Sequence, residues 1–114
     1  MSKDGLPDAI TKREVIYGNR PWPLSLEECG NRYQKMGQLM DALLFFHKAG
    51  ALDKIENLAQ LAIEEGNAFL LLQIENLLDK SRAKDDWVKL AKNARAKGKD
   101  SYAAKAESII KEKE

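Results

Sequence analysis

Cys29 and His47 are the residues whose chemistry could supply a nucleophile and a base, since the chain has one cysteine and one histidine. Such a pair works only where the two side chains meet and a third group orients the histidine. Nothing in the sequence supplies that third group. We therefore interpret Cys29 as a small buried apolar side chain and His47 as a surface residue, and we predict that the protein is not an enzyme.

Metal and phosphate sites have characteristic spacings, and none of them is found here. The sequence has no Cys-x-x-Cys pair, no second histidine and no carboxylate-rich run with the spacing of a metal site. Its glycines are scattered rather than gathered in a loop that could hold a phosphate. We predict that the protein uses no metal ion and no cofactor.

The composition predicts one small folded protein. Of 114 residues, 44% are hydrophobic and 32% are charged, and the net charge is +1. That balance suits a folded chain, and it argues against binding of nucleic acid or membrane through overall charge. No apolar run approaches the roughly 20 residues that a membrane span needs. Because a single cysteine suits a reducing compartment, we expect a cytoplasmic protein without membrane contact.

Residues 1–24 form a separate N-terminal region in the sequence pattern. A short helix is predicted to start with Pro7 in its first turn and to end at about Tyr17. The Gly-Asn-Arg-Pro-Trp-Pro stretch that follows excludes helix and predicts a loop. We expect the whole region to pack on the rest of the chain. Ser25 and Glu28 then have the spacing of a capping box, which predicts the start of the next helix.

Three glycines divide the rest of the chain. Gly37, Gly66 and Gly98 each follow a run of helical pattern, and glycine readily takes the left-handed backbone that ends many helices. The intervals between them are 29 and 32 residues, a range typical of helical repeats. We therefore predict helices and short turns from residue 25 to the C-terminus.

Small and aromatic residues recur around each of these glycines. The first segment has Gly30, Tyr33, Ala42, Phe46 and Ala49. The second has Leu58, Ala59, Ala62, Leu70, Ile74 and Leu77, and the third has Trp87, Leu90, Ala91, Ala94 and Ala103. This arrangement resembles the tetratricopeptide repeat, in which small residues allow close helix contact and aromatic residues fill the gaps between helices.

The resemblance implies an all-α fold. We expect a short α-solenoid of three antiparallel helix hairpins, with units of about 25–52, 53–80 and 81–114, preceded by the N-terminal helix and loop. A plain bundle of three helix hairpins is the alternative.

The resemblance also implies a non-catalytic module for protein–protein interaction. In the tetratricopeptide family the first helices of the repeats line a groove that holds a peptide or a protein segment, and basic side chains would favour an acidic one. A merely solvated basic face is the competing interpretation. The groove candidates are Asn31, Gln34, Lys35, Lys89, Lys92 and Arg95.

A basic cluster at residues 80–99 supports a second function. It holds eight basic residues and only two acidic ones, Asp85 and Asp86. Such a cluster could contact phosphate groups of nucleic acid. The sequence lacks the interleaved exposed aromatic residues on which single-strand binders stack bases, so nucleic acid is the less favoured partner.

Residues 68–78 carry more apolar side chains than one buried helix face needs. Two interpretations are open. The N-terminal region could cover the surplus through Ile16 and Trp22. Alternatively, the surplus could form a self-association or partner surface, as in a homodimer or a small structural homo-oligomer. The self-association candidates are Phe69, Leu71, Leu72 and Leu78.

Overall fold

The protein is all-α in the part of the chain that its computed structural model describes, residues 5–114. Seven helices and no strand are found there, which confirms the prediction that the fold is all-α. Residues 1–4 of the predicted N-terminal region lie outside the described part. The helices are α1 (Ala9–Tyr17), α2 (Leu26–Lys35), α3 (Leu39–Ala49), α4 (Leu52–Glu65), α5 (Ala68–Leu78), α6 (Lys84–Ala96) and α7 (Asp100–Lys113).

The chain divides into two compact units, Met1–Ile55 and Glu56–Glu114. The division falls inside α4. None of the described helices is both long and apolar enough to cross a membrane.

The same hydrogen-bonded turn ends five of the helices. In each, a residue of positive φ is followed by a backbone N–H that returns to the carbonyl oxygen five residues earlier, at 2.8–3.1 Å. This is the Schellman pattern, which satisfies carbonyl groups that the helix leaves unpaired. The predicted helix ends at Gly37, Gly66 and Gly98 are confirmed. The sequence did not single out the other two, at Gly50 and Asp79.

The first two helices begin at side-chain caps. The predicted cap at Ser25 is confirmed, because its hydroxyl oxygen accepts a hydrogen bond from the backbone N–H of Glu28 at 3.0 Å. Asp8 caps α1 by accepting from the Thr11 N–H at 2.8 Å. The prediction that Pro7 lies in the first turn of α1 was wrong. Pro7 precedes the capping residue Asp8 and lies outside the helix.

In the first unit, α2 and α3 pack as an antiparallel hairpin. Gly30 faces the ring of Phe46, and the rings of Tyr33 and Phe45 lie 5.2 Å apart between centroids. All three of these aromatic rings are buried. The hairpin therefore supplies the core on which the N-terminal segment packs.

The N-terminal segment contacts this hairpin along α3. Lys12 on α1 forms an ion pair with Asp41 at 2.9 Å, and Lys48 donates a hydrogen bond to Asn19 just after α1. The earlier residue of the N-terminal segment contacts the start of α3, and the later one contacts its end. Helix α1 therefore runs parallel to α3. The loop between α1 and α2 is joined to the residues before α1 by Trp22, whose indole N–H donates to the carbonyl oxygen of Gly5 at 2.8 Å.

In the second unit, α6 and α7 form another antiparallel hairpin, and α5 lies beside α7. Trp87 on α6 is fully buried. Phe69 and Tyr102 meet edge to face near the starts of α5 and α7, with centroids 5.4 Å apart. The end of α4 is held to α6 by Asn93, whose side-chain amide donates to the Ile63 carbonyl oxygen at 2.8 Å.

Candidate binding groove

A groove of about 420 Å³ lies on the surface of the second unit, between α6 and α7. Its apolar lining comes from Val88 and Ala91 on α6 and Ile110 on α7. Its polar lining comes from Lys92, Arg95 and Glu107. A concave apolar floor with a few charged groups at its border is the usual form of a site that binds a ligand or a peptide.

Helix α6 presents its basic side chains to solvent because its other face is buried. Trp87, Leu90 and Ala94 are buried in the core, whereas Lys89 and Lys92 are exposed. No ion pair to Lys89 or Lys92 is found among residues 5–114. Their positive charges are therefore available to a ligand.

Arg95, the third groove candidate on α6, is already paired. Its guanidinium donates to a Glu107 carboxylate oxygen at 2.7 Å and lies 3.5 Å from Asp100. The hydrogen bond to Glu107 raises the pKa of Arg95 above its ordinary value. Arg95 thus lines the groove mainly as part of an ion pair.

Most of the basic cluster at 80–99 is likewise neutralised within the second unit. The partners are all carboxylates of that unit, at N–O distances of 2.7–3.9 Å. The charge counted along the sequence therefore overstates the charge offered to a ligand. The paired members are Arg82 with Glu56 and Asp86, Lys84 with Glu114, Arg95 with Glu107 and Asp100, and Lys97 and Lys99 with Glu65.

The remaining groove candidates lie on α2 in the first unit. Asn31 and Gln34 are half-buried, and Lys35 is exposed. Hydrogen bonds from Arg32 and Asn31 lower the pKa of the Glu28 carboxyl, so Asn31 already has a partner. The six candidates thus divide equally between the two units.

Cys29 and His47 lie in different surroundings. Cys29 is fully buried, and burial raises the pKa of its thiol, which disfavours the reactive thiolate. His47 is exposed on α3. Within residues 5–114, no three His, Cys, Asp or Glu side chains are grouped so that they could hold a metal ion.

The four self-association candidates do not share one environment. Phe69 is 52% exposed, whereas Leu72 and Leu78 are half-buried. Leu71 is fully buried, so its prediction as a self-association residue was wrong, because a buried side chain is not available to a second copy. Ile16 and Trp22, the proposed cover, have neighbours within the first unit, since Ile16 is buried beside Leu44 and Trp22 is bonded to Gly5.

A network centred on Arg82 was missed by the sequence analysis. The Arg82 guanidinium donates to both carboxylate oxygens of Glu56, at 2.7 and 3.0 Å, and to Asp86 at 3.1 Å. Glu75 accepts from the Arg82 backbone N–H at 2.7 Å and from the Trp87 indole N–H at 3.1 Å. The network links α4, α5 and α6.

The Glu56–Arg82 pair predicts a pH dependence of stability. Hydrogen bonding from Arg82 lowers the pKa of Glu56 below its ordinary value of 4.5. A carboxyl whose pKa is lowered on folding stabilises the fold above the unfolded pKa, and that contribution is lost as the pH falls through the folded pKa. Because the Glu56 side chain is 53% exposed, we expect Glu56→Gln to cost less than about 1 kcal/mol at pH 7 and almost nothing at pH 3. Urea denaturation at both pH values measures this, with Glu64→Gln as the exposed control. An equal loss at the two pH values would contradict the assignment.

The chain matches no model of a known protein family, no curated protein and no solved structure. The tetratricopeptide resemblance therefore rests on the residues of this chain alone.

Proposed function

We propose that the protein is a non-catalytic interaction module, a tetratricopeptide-like helical scaffold that binds an acidic peptide or protein segment. The observation that carries the proposal is the groove between α6 and α7, where Lys92 lines an apolar floor and has no ion-pair partner among the described residues. Lys89, which also has no such partner, is exposed next to the lining residue Val88 on the same helix. The floor would hold apolar side chains of the segment, and the two ammonium groups would contact its carboxylates.

The repeat character of the scaffold is supported by its helix ends and its hairpins. A glycine of positive φ lies between α2 and α3, between α4 and α5, and between α6 and α7. Gly30 and Phe46, two of the residues on which the tetratricopeptide resemblance is based, are in direct contact in the first hairpin. Both features are what a repeated helix pair requires, since each pair needs a tight turn and a close approach.

The charges favour an acidic protein segment over nucleic acid. A protein that binds phosphate backbones needs many unpaired cations, because its affinity comes largely from the counterions it displaces. In the described chain, most basic side chains of the 80–99 cluster are bound to carboxylates of the same unit. An apolar groove lined by Lys92, with Lys89 exposed on the same helix, suits a short segment with carboxylates and apolar side chains.

Selection from a random peptide library displayed on phage tests this function. We expect the wild-type protein to enrich peptides that combine acidic and apolar residues. Lys89→Glu/Lys92→Glu should lower the affinity for a selected peptide by about tenfold, because two favourable charge contacts become repulsive. Fluorescence anisotropy with the labelled peptide measures the change.

The matched control is Lys80→Glu/Lys105→Glu, which reverses two exposed lysines that lie outside α6 and do not line the groove. It makes the same change in net charge and should leave the affinity nearly unchanged. Equal losses in the two double variants would contradict the groove assignment. Tight binding of a labelled single-stranded oligonucleotide, falling steeply with salt, would favour the nucleic-acid alternative instead.

A further inference from the structure

The outward face of α1 carries four exposed side chains in one stripe. Ile10, Arg13, Glu14 and Tyr17 follow the i, i+3, i+4, i+7 spacing of a single helix face. Ile10 and Tyr17 are 75% and 70% exposed, the highest values among the large apolar side chains of the described chain. The opposite face of α1 is the one that packs, since it carries the buried Val15 and Ile16.

Opposite charges lie between the two apolar ends of this stripe. Arg13 has no ion-pair partner among the described residues. Glu14 accepts a hydrogen bond from Arg20, but about half of its side chain remains exposed, 49%. The face therefore has an apolar residue at each end and one charge of each sign in the middle.

We propose that this face of α1 is a homodimer interface, and that its occupant is α1 of a second copy of the chain. A two-fold interface must be complementary to itself. When two copies of α1 lie side by side and run in the same direction, Ile10 meets Ile10 and Tyr17 meets Tyr17. Arg13 of each copy then faces Glu14 of the other, as flanking charges do in parallel paired helices.

The self-complementary order of charges identifies a second copy as the occupant. Because the same helix face carries both Arg13 and Glu14, a second copy of that face can neutralise both charges without any other partner. The neighbouring groove of about 520 Å³, lined by Lys12, Arg13, Ile16, Tyr17 and Leu44, extends the apolar surface beside Tyr17. It gives the second copy a concave surface next to the helix contact.

The association is expected to be weak. Helix α1 has 9 residues, which at about 1.5 Å per residue is short for a helix pair. Interfaces below about 1,200 Å² of total buried surface belong to transient complexes. The dimer should therefore form in a concentration-dependent equilibrium with the monomer.

Sedimentation equilibrium of the full chain over a wide concentration range tests the interface. We expect the weight-average mass to rise toward that of a dimer with concentration. Ile10→Glu should weaken the dimer at least tenfold, because it places two carboxylates together at the two-fold axis. Leu52→Glu makes the same change at another exposed residue, 63% accessible on α4, and should leave association unchanged. Circular dichroism checks that both variants remain helical.

Charge reversal gives a second test, and its expected result is specific to this geometry. Arg13→Glu alone should weaken the dimer, since each new carboxylate faces Glu14 of the other copy. Glu14→Arg alone should also weaken it. The double swap Arg13→Glu/Glu14→Arg should restore association, because each ion pair forms again with its signs exchanged.

Three outcomes would overturn the proposal. The first is a monomer at every concentration. The second is a dimer that Ile10→Glu leaves intact, and dissociation of that dimer by Phe69→Glu would move the interface to α5. The third is failure of the double swap to restore a dimer that both single reversals weaken, which would exclude the parallel arrangement.

Discussion

Gly66→Ala is expected to destabilise the second unit by about 3 kcal/mol, through a left-handed backbone and a steric clash that act together. Gly66 has φ 72°, and a Cβ atom there would lie 2.6 Å from the Cα atom and 2.7 Å from the backbone nitrogen of Ala94. A flexible side chain could move away from a new methyl group. The backbone of a buried helix segment cannot do so without shifting the helix.

The helix segment that faces Gly66 is also held in place by other contacts. Asn93 donates to the Ile63 carbonyl oxygen at 2.8 Å, and the Lys99 ammonium donates to the Glu65 carbonyl oxygen at the same distance. Ala94 itself is fully buried. Separation of α4 from α6 would therefore break hydrogen bonds in addition to opening the core, and relaxation offers little relief.

Gly98→Ala is the matched control for this prediction. Gly98 also has φ 72°, but no atom lies within 4 Å of the position of its added Cβ. Gly98→Ala should lower the free energy of unfolding by only about 1 kcal/mol, the cost of a left-handed backbone at alanine. Urea denaturation followed by circular dichroism measures both variants. Equal losses would contradict the close approach of Gly66 to α6, since the two sites share the same backbone conformation.

Helix ends were the most predictable feature of this fold. A left-handed residue at a helix end is a local requirement, and glycine meets it at low cost, so Gly37, Gly66 and Gly98 could be found by inspection. Asp79 takes the same conformation with φ 49°. Aspartate is common in many other local structures, and so it gives a much weaker signal than glycine.

Burial on α5 and pairing of charges could not be predicted in the same way. The apolar surplus of α5 predicts that Leu71 needs cover apart from the main buried face, but Leu71 is as fully buried as Leu70 and Ile74 on that face. Arg82 and Glu56 are 26 residues apart in the sequence. Such a contact depends on the fold, which is why a count of charges gave a basic cluster that the structure largely neutralises.

Gly30→Ala should destabilise the first unit by about 2 kcal/mol, although helix propensity alone predicts the opposite sign. Within a helix, alanine is favoured over glycine by about 0.5–1 kcal/mol. A Cβ atom at Gly30, however, would lie 2.5 Å from the Cε1 atom and 2.6 Å from the Cδ1 atom of the Phe46 ring. Phe46 is fully buried, and overpacking of this kind costs about 1–3 kcal/mol or more.

A double-mutant cycle with Phe46→Val tests the cause of this loss. Valine lacks both clashing ring atoms, so Gly30→Ala in the Phe46→Val background should be neutral or stabilising. The coupling energy between the two positions should then be at least about 2 kcal/mol, within the range typical of residues in direct contact. Denaturant unfolding of the four proteins measures it. Additive losses would show that Gly30 does not limit the approach of α2 to α3. The comparison with tetratricopeptide hairpins would then lose the support of the Gly30–Phe46 contact.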